Sequence, residues 1–175
     1  QTYFPSLRDR SLDDVLLAVN EARPSLIRTE ADEVTYNFHI ILRFDIERAL
    51  IHGDLTVADL PSAWRQGMQD LLGIQPQTDR EGVLQDVHWA GGAIGYFPTY
   101  ALGNIYAAQL VQAAEADLGS MDALLSAGEF PVLLGWLRAR VHRWGQTYRG
   151  PELMQRATQA PLDAGPLLTH LERKV

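Results

Sequence analysis

The sequence predicts an all-α fold, a compact helical unit interrupted by one irregular loop rich in glycine and aromatic residues. Three observations predict it. Apolar residues recur at helical spacing in segment after segment. Those segments open on N-capping or proline residues and close on glycine or proline. A chain of 175 residues, 46% apolar and 21% charged, is long enough to bury a core.

Ser11 precedes Leu12, Asp13 and Asp14 and the apolar set Val15, Leu16 and Val19, which predicts a short N-capped helix with acids in its first turn, ended before Pro24. A longer helix is expected over about residues 30–52, where Val34, Phe38, Ile41, Leu42 and Leu50 share helical spacing and Gly53 is the stop. Tyr36, Ile40 and Phe44 make it apolar nearly all round, so it should be the central strut. Residues 59–72 read as a third helix with Pro61 near its start and Gly73 at its end, before a polar turn over 75–80. Residues 82–99 break the pattern: Gly91, Gly92, Gly95 and Pro98 crowd around aromatics and a single His, as in an ordered functional loop. Residues 100–118 are helical again, with Ala107, Ala108, Ala113 and Ala114 permitting close packing, and further helices are expected over 120–127, 129–144, 151–158 and 164–174. No repeat and no Pro-, Gly- or Ser-rich linker divides the chain, so one unit is expected over 1–175.

Fifteen basic against 22 acidic side chains give a formal charge of −7, the wrong sign for gathering phosphate backbones, and nucleic acid is not an expected partner. Without cysteine there is no disulfide framework, no thiolate nucleophile and no sulfur-ligated metal. Apolar runs are broken within about ten residues, short of the roughly twenty a membrane span needs. Residues 1–10 lack the apolar core of a signal peptide and there is no initiator Met, so a cytoplasmic location and a start inside a longer gene product are expected.

Two stretches carry chemistry. The first, Leu26-Ile27-Arg28-Thr29-Glu30-Ala31-Asp32, lies where an extended piece after Pro24 enters the long helix. Arg28 could hold a structural salt bridge or bind a carboxylate bidentately. Glu30 and Asp32, expected in the first helical turn, suit capping. The second runs from Gly82-Val83-Leu84-Gln85-Asp86-Val87-His88-Trp89 through the glycines to Gly95-Tyr96-Phe97-Pro98-Thr99-Tyr100. His88 and a tyrosine there could donate hydrogen bonds to an oxygen that gains charge in a transition state, with Asp86 orienting the His, or could form a buried aromatic cluster. The remaining histidines, His39, His52, His142 and His170, match no metal signature. His39 and Arg43 share a helix face, and His142 lies near Arg138, Arg140 and Arg143. Solvated or interface roles are expected for these groups.

Together these stretches resemble the Taq-carboxypeptidase-like family of zinc metallocarboxypeptidases, whose signatures include (I/V)RxxAD and GxxQDxHW. Ile27 to Asp32 match the first and Gly82 to Trp89 the second, and the flanks after Asp32 and from Gly95 to Asn104 look like the family as well. The resemblance maps the chain onto the carboxy-terminal part of a longer protein with a helical fold similar to that of peptidyl-dipeptidases. It implies removal of the carboxy-terminal amino acid from peptides. It further implies zinc, held in the family by HExxH and a downstream Glu that are absent here, so no residue of this chain is expected to bind metal and the chain alone is expected to be inactive. By the same resemblance, Arg28 recognises the substrate carboxylate with Gln85 and Asp86 in support. His88 and Tyr96, with Tyr100 as the competing tyrosine, stabilise the oxyanion, and a homodimer is expected. Ala90 and Ala93-Ile94 depart from the family's usual Ser and aromatic. The alternative is a non-catalytic relative, a helical module that binds peptide termini or mediates dimerisation.

Overall fold

The computed structural model describes residues 4–174. Residues 1–3, part of the amino-terminal stretch considered above, lie outside the described residues. Among those described, all regular structure is helical: α1 (Leu12–Val19), α2 (Tyr36–His52), α3 (Leu60–Leu72), α4 (Pro98–Leu118), α5 (Met121–Ser126), α6 (Phe130–Arg140), α7 (Gly150–Thr158) and α8 (Gly165–Glu172), with four short 3-10 turns. The chain groups into two compact units, one reaching to Pro98 and joined by Lys174, the other Thr99–Arg173.

In the first unit, Ser11 caps α1 as expected, its hydroxyl accepting from Asp14 N while Asp14 accepts from Ser11 N. The long helix starts later than the spacing predicts. Asp32 accepts from the N–H groups of Val34 and Thr35 and from the Thr35 hydroxyl, at 2.7–2.9 Å, which stabilises a turn ahead of Tyr36. Arg28–Glu30 form a separate 3-10 turn, so neither Glu30 nor Asp32 lies in the first turn of α2. Gly53 and Gly73 end α2 and α3 in the left-handed conformation, at φ 81° and 71°.

α2 packs on α3 through a core of Leu42, Ile46, Trp64, Met68, Leu72 and Val83. The approach is close at Gly67, where an added Cβ would stand 2.2 Å from Leu42 Cδ1. Past Gly73 the chain runs through turns to Phe97 with no helix, and the irregular segment expected over 82–99 gives way two residues early to α4 at Pro98. Its anchors are apolar: Trp89 meets Trp64 edge to face at 5.9 Å, and Phe97 is 1% exposed.

In the second unit, Ala114 of α4, Met121 of α5 and Trp136 of α6 form a smaller core. Trp136 Nε1 donates to Asp117 Oδ2 at 2.7 Å, satisfying a polar atom on a buried side chain. Gln109 donates to Pro161 O and accepts from Asp163 N, tying α4 to the segment before α8. The helix expected over 129–144 breaks at Val141 (φ −122°, ψ −64°) and continues as the 3-10 turn His142–Trp144.

Candidate functional site

The Arg28–Glu30 turn, one face of α2 and the loop segment from Gln85 to Phe97 meet in the first unit, around Asp86. One carboxylate there serves two guanidinium groups. Arg28 Nη2 and Nε donate to Oδ1 at 2.7 and 3.1 Å, and Arg43 Nε donates to Oδ2 at 2.7 Å with Nη2 at 2.6 Å. Gln85 fastens the same turn. Its carbonyl accepts from Arg28 N and Arg43 Nη2, and its amide donates to Leu26 O and Glu81 O. Gln85 thus hydrogen-bonds the protein's own groups.

The cluster is largely buried, with Arg43 fully buried and Arg28 7% exposed. Burial pushes the Asp86 carboxyl up, but hydrogen bonds from Arg28 and the charge of Arg43 outweigh it and hold the group below the ordinary carboxylate range. Burial pulls Arg43 down, to about 10, which still leaves it cationic at neutral pH. For Arg28, burial works in the same direction, yet the bonds to Asp86 and to the Tyr36 hydroxyl prevail and its pKa is raised. Two cations and one anion give the trio a formal charge of +1 in a low-dielectric setting. Aromatic faces surround it: Arg43 lies 4.6 Å over Trp64, and Phe97 is 5.2 Å from Arg43 and 5.7 Å from Arg28.

His88 sits at the edge of this cluster. Its Nδ1 is 3.7 Å from Asp86 Oδ1, an electrostatic contact longer than a hydrogen bond, and its ring packs on Phe97 at 4.5 Å. Tyr96 stands beside it with ring centroids 5.8 Å apart, and is about half exposed. The loop therefore brings together Arg28, Gln85, Asp86, His88 and Tyr96. Tyr100 lies in the first turn of α4, in the second unit, and is half-buried. Trp89 donates from Nε1 to Glu47 Oε1 at 2.7 Å and packs edge-on to Phe97, bracing the loop from α2.

His39 and Arg43 correct the expectation of solvated or interface roles: both are completely buried. Their four-residue spacing continues to Glu47, also buried, along the stripe that carries Leu42 and Ile46. That shared register was the available signal for a charged side chain on the core face. His39 makes no hydrogen bond of ordinary geometry through either ring nitrogen; burial, with Arg43 and Arg28 nearby, lowers its pKa to about 4 and keeps it neutral.

Among the described residues, no three His, Cys, Asp or Glu side chains converge as a metal site would require.

Helical architecture and a whole-length match both place the chain among the metallopeptidases. It belongs to the carboxypeptidase Taq (M32) metallopeptidase family, whose family model matches residues 1–175. Thermostable carboxypeptidase 1 of Thermus thermophilus is 52% identical over 171 residues, which is 98% of this chain and 34% of that protein. Carboxypeptidase 1 of Bacillus subtilis is 52% identical over 167 residues, 95% of this chain and 33% of the relative. The crystal structure of an M32 carboxypeptidase from Deinococcus radiodurans R1 superposes with a TM-score of 0.95 at 43% identity, covering 99% of this chain and 35% of that one. The chain thus spans about a third of the length of the relatives it matches.

Proposed function

We propose that this chain forms the substrate side of a metallocarboxypeptidase that removes the carboxy-terminal amino acid from peptides. The metal, zinc by family resemblance, is held by residues outside the chain, which is inactive alone. On this reading the complete protein is a cytoplasmic homodimer. The observation that carries the proposal is the buried trio of net charge +1 set beside the His88–Tyr96 pair.

Arg28 lies at the more open end of the trio and draws in the peptide's α-carboxylate, which neutralises the excess charge. Gln85 and Asp86 hold the turn that presents it. His88 and Tyr96 donate hydrogen bonds to the scissile carbonyl oxygen as the carbon becomes tetrahedral and the oxygen gains charge. On this reading His88, packed on Phe97 and close to Asp86, needs little reorganisation at the barrier.

In the intact protein, His88→Ala and Tyr96→Phe should each lower kcat by about 10²- to 10³-fold with KM little changed, the mark of an interaction made in the transition state. Tyr100→Phe, assayed alongside, assigns the tyrosine. Wild-type kcat in both His88→Ala and Tyr96→Phe would refute the reading.

A further inference from the structure

We propose that Arg43 is a positioning residue for His88, acting through Asp86, and that it lets Arg28 exchange Asp86 for a substrate carboxylate without stranding the aspartate. The inference rests on the functional reading above.

The two arginines are unequal partners. Arg43 is locked at every edge: Nε and Nη2 meet Asp86 Oδ2, Nη1 donates to the His39 carbonyl at 2.8 Å, Nη2 donates to Gln85 Oε1 at 2.9 Å, and its face rests on Trp64. Its backbone is in the middle of α2, and none of its surface reaches solvent. Arg28 comes from a single 3-10 turn and keeps some exposure.

A buried carboxylate that loses its only cation is strongly destabilised. With one arginine, a substrate carboxylate that engaged the guanidinium would expose Asp86 to that penalty, and binding would be weakened. With Arg43 on Oδ2, Asp86 stays paired while Arg28 turns to the ligand. Oδ1, the oxygen 3.7 Å from His88 Nδ1, keeps its place. A negative charge at that distance favours the tautomer with the proton on Nδ1, which determines what the other nitrogen presents to substrate.

The test uses the intact protein labelled with 15N-histidine, the His88 signals being assigned from their loss in His88→Asn. Wild type should show His88 predominantly protonated on Nδ1. Arg43→Gln should move its ring 15N signals toward a tautomer mixture, lower kcat tenfold or more through His88, and raise KM through the weakened exchange at Arg28. Arg43→Lys keeps the charge but cannot reach Asp86, Gln85 and the His39 carbonyl together; it should fall between the two, and it carries the test if Arg43→Gln does not fold. Unmoved His88 signals in a folded Arg43 variant, or a loss confined to KM, would overturn the inference. Failure of the functional reading is distinguishable, because it shows as unchanged peptidase activity in His88→Ala whatever Arg43 does.

Discussion

At the residue scale, His39 makes a prediction that depends on sign. Its pKa falls from 6.5 to about 4 on folding, so between those values the unfolded chain binds more protons than the native one. This contribution to stability is complete above pH 6.5 and declines as pH falls toward 4. The loss amounts to about 2 kcal/mol by pH 5. His39→Gln, which cannot titrate, should therefore show a smaller drop in thermal midpoint between pH 7 and pH 5 than wild type; equal drops would place the titration elsewhere. Asp86→Asn leaves two buried guanidinium groups without their carboxylate and should cost about 3–5 kcal/mol, measurable by denaturant unfolding. Residue types in two motifs made Arg28, Asp86 and His88 legible as a group. Arg43 was not, because a charged residue in a helix reads as solvated until its neighbours are known.

At the element scale, the α2–α3 contact turns on Gly67. Alanine normally gains up to about 1 kcal/mol over glycine inside a helix. Here its Cβ would meet Leu42 Cδ1 at 2.2 Å in a packed core. Overpacking of this kind costs about 1–3 kcal/mol. Gly67→Ala should accordingly lower the thermal midpoint, where a helix-propensity argument alone predicts a rise. α1 is the opposite case, since it buries no residue and depends on its capping box. Ser11→Ala should cost about 1 kcal/mol locally, seen as faster amide exchange confined to α1. Helix existence and glycine stops were readable from spacing and residue type. The start of α2 was not, because Asp32 forms a side-chain turn that competes with the helix, and the break at Val141 carries no proline or glycine.

At the scale of the whole molecule, the chain exposes much apolar surface for its size. Leu12, Leu17, Val19, Ile51, Val57, Leu84 and Val87 are 71–81% exposed. Produced alone, it should bind a hydrophobic dye such as ANS more strongly than an ordinary folded monomer, and a weak response would show that this surface closes in solution. The all-helical class followed from periodicity. The boundary at Pro98 did not, because it falls where a loop enters a helix and has no linker composition. The family followed from two motifs that the fold joins through the Arg28–Asp86 ion pair. Arg28, held in a trio of net positive charge, is proposed to read the carboxylate of a peptide. The most direct test is the ratio of kcat/KM for a peptide with a free carboxy terminus to that for its amidated form, in the intact protein and in Arg28→Gln. This ratio does not depend on the folded fraction. A charge-assisted bond worth about 1.5–3 kcal/mol predicts that Arg28→Gln lowers it by about 10- to 150-fold. The same ratio in both proteins would rule out this role for Arg28.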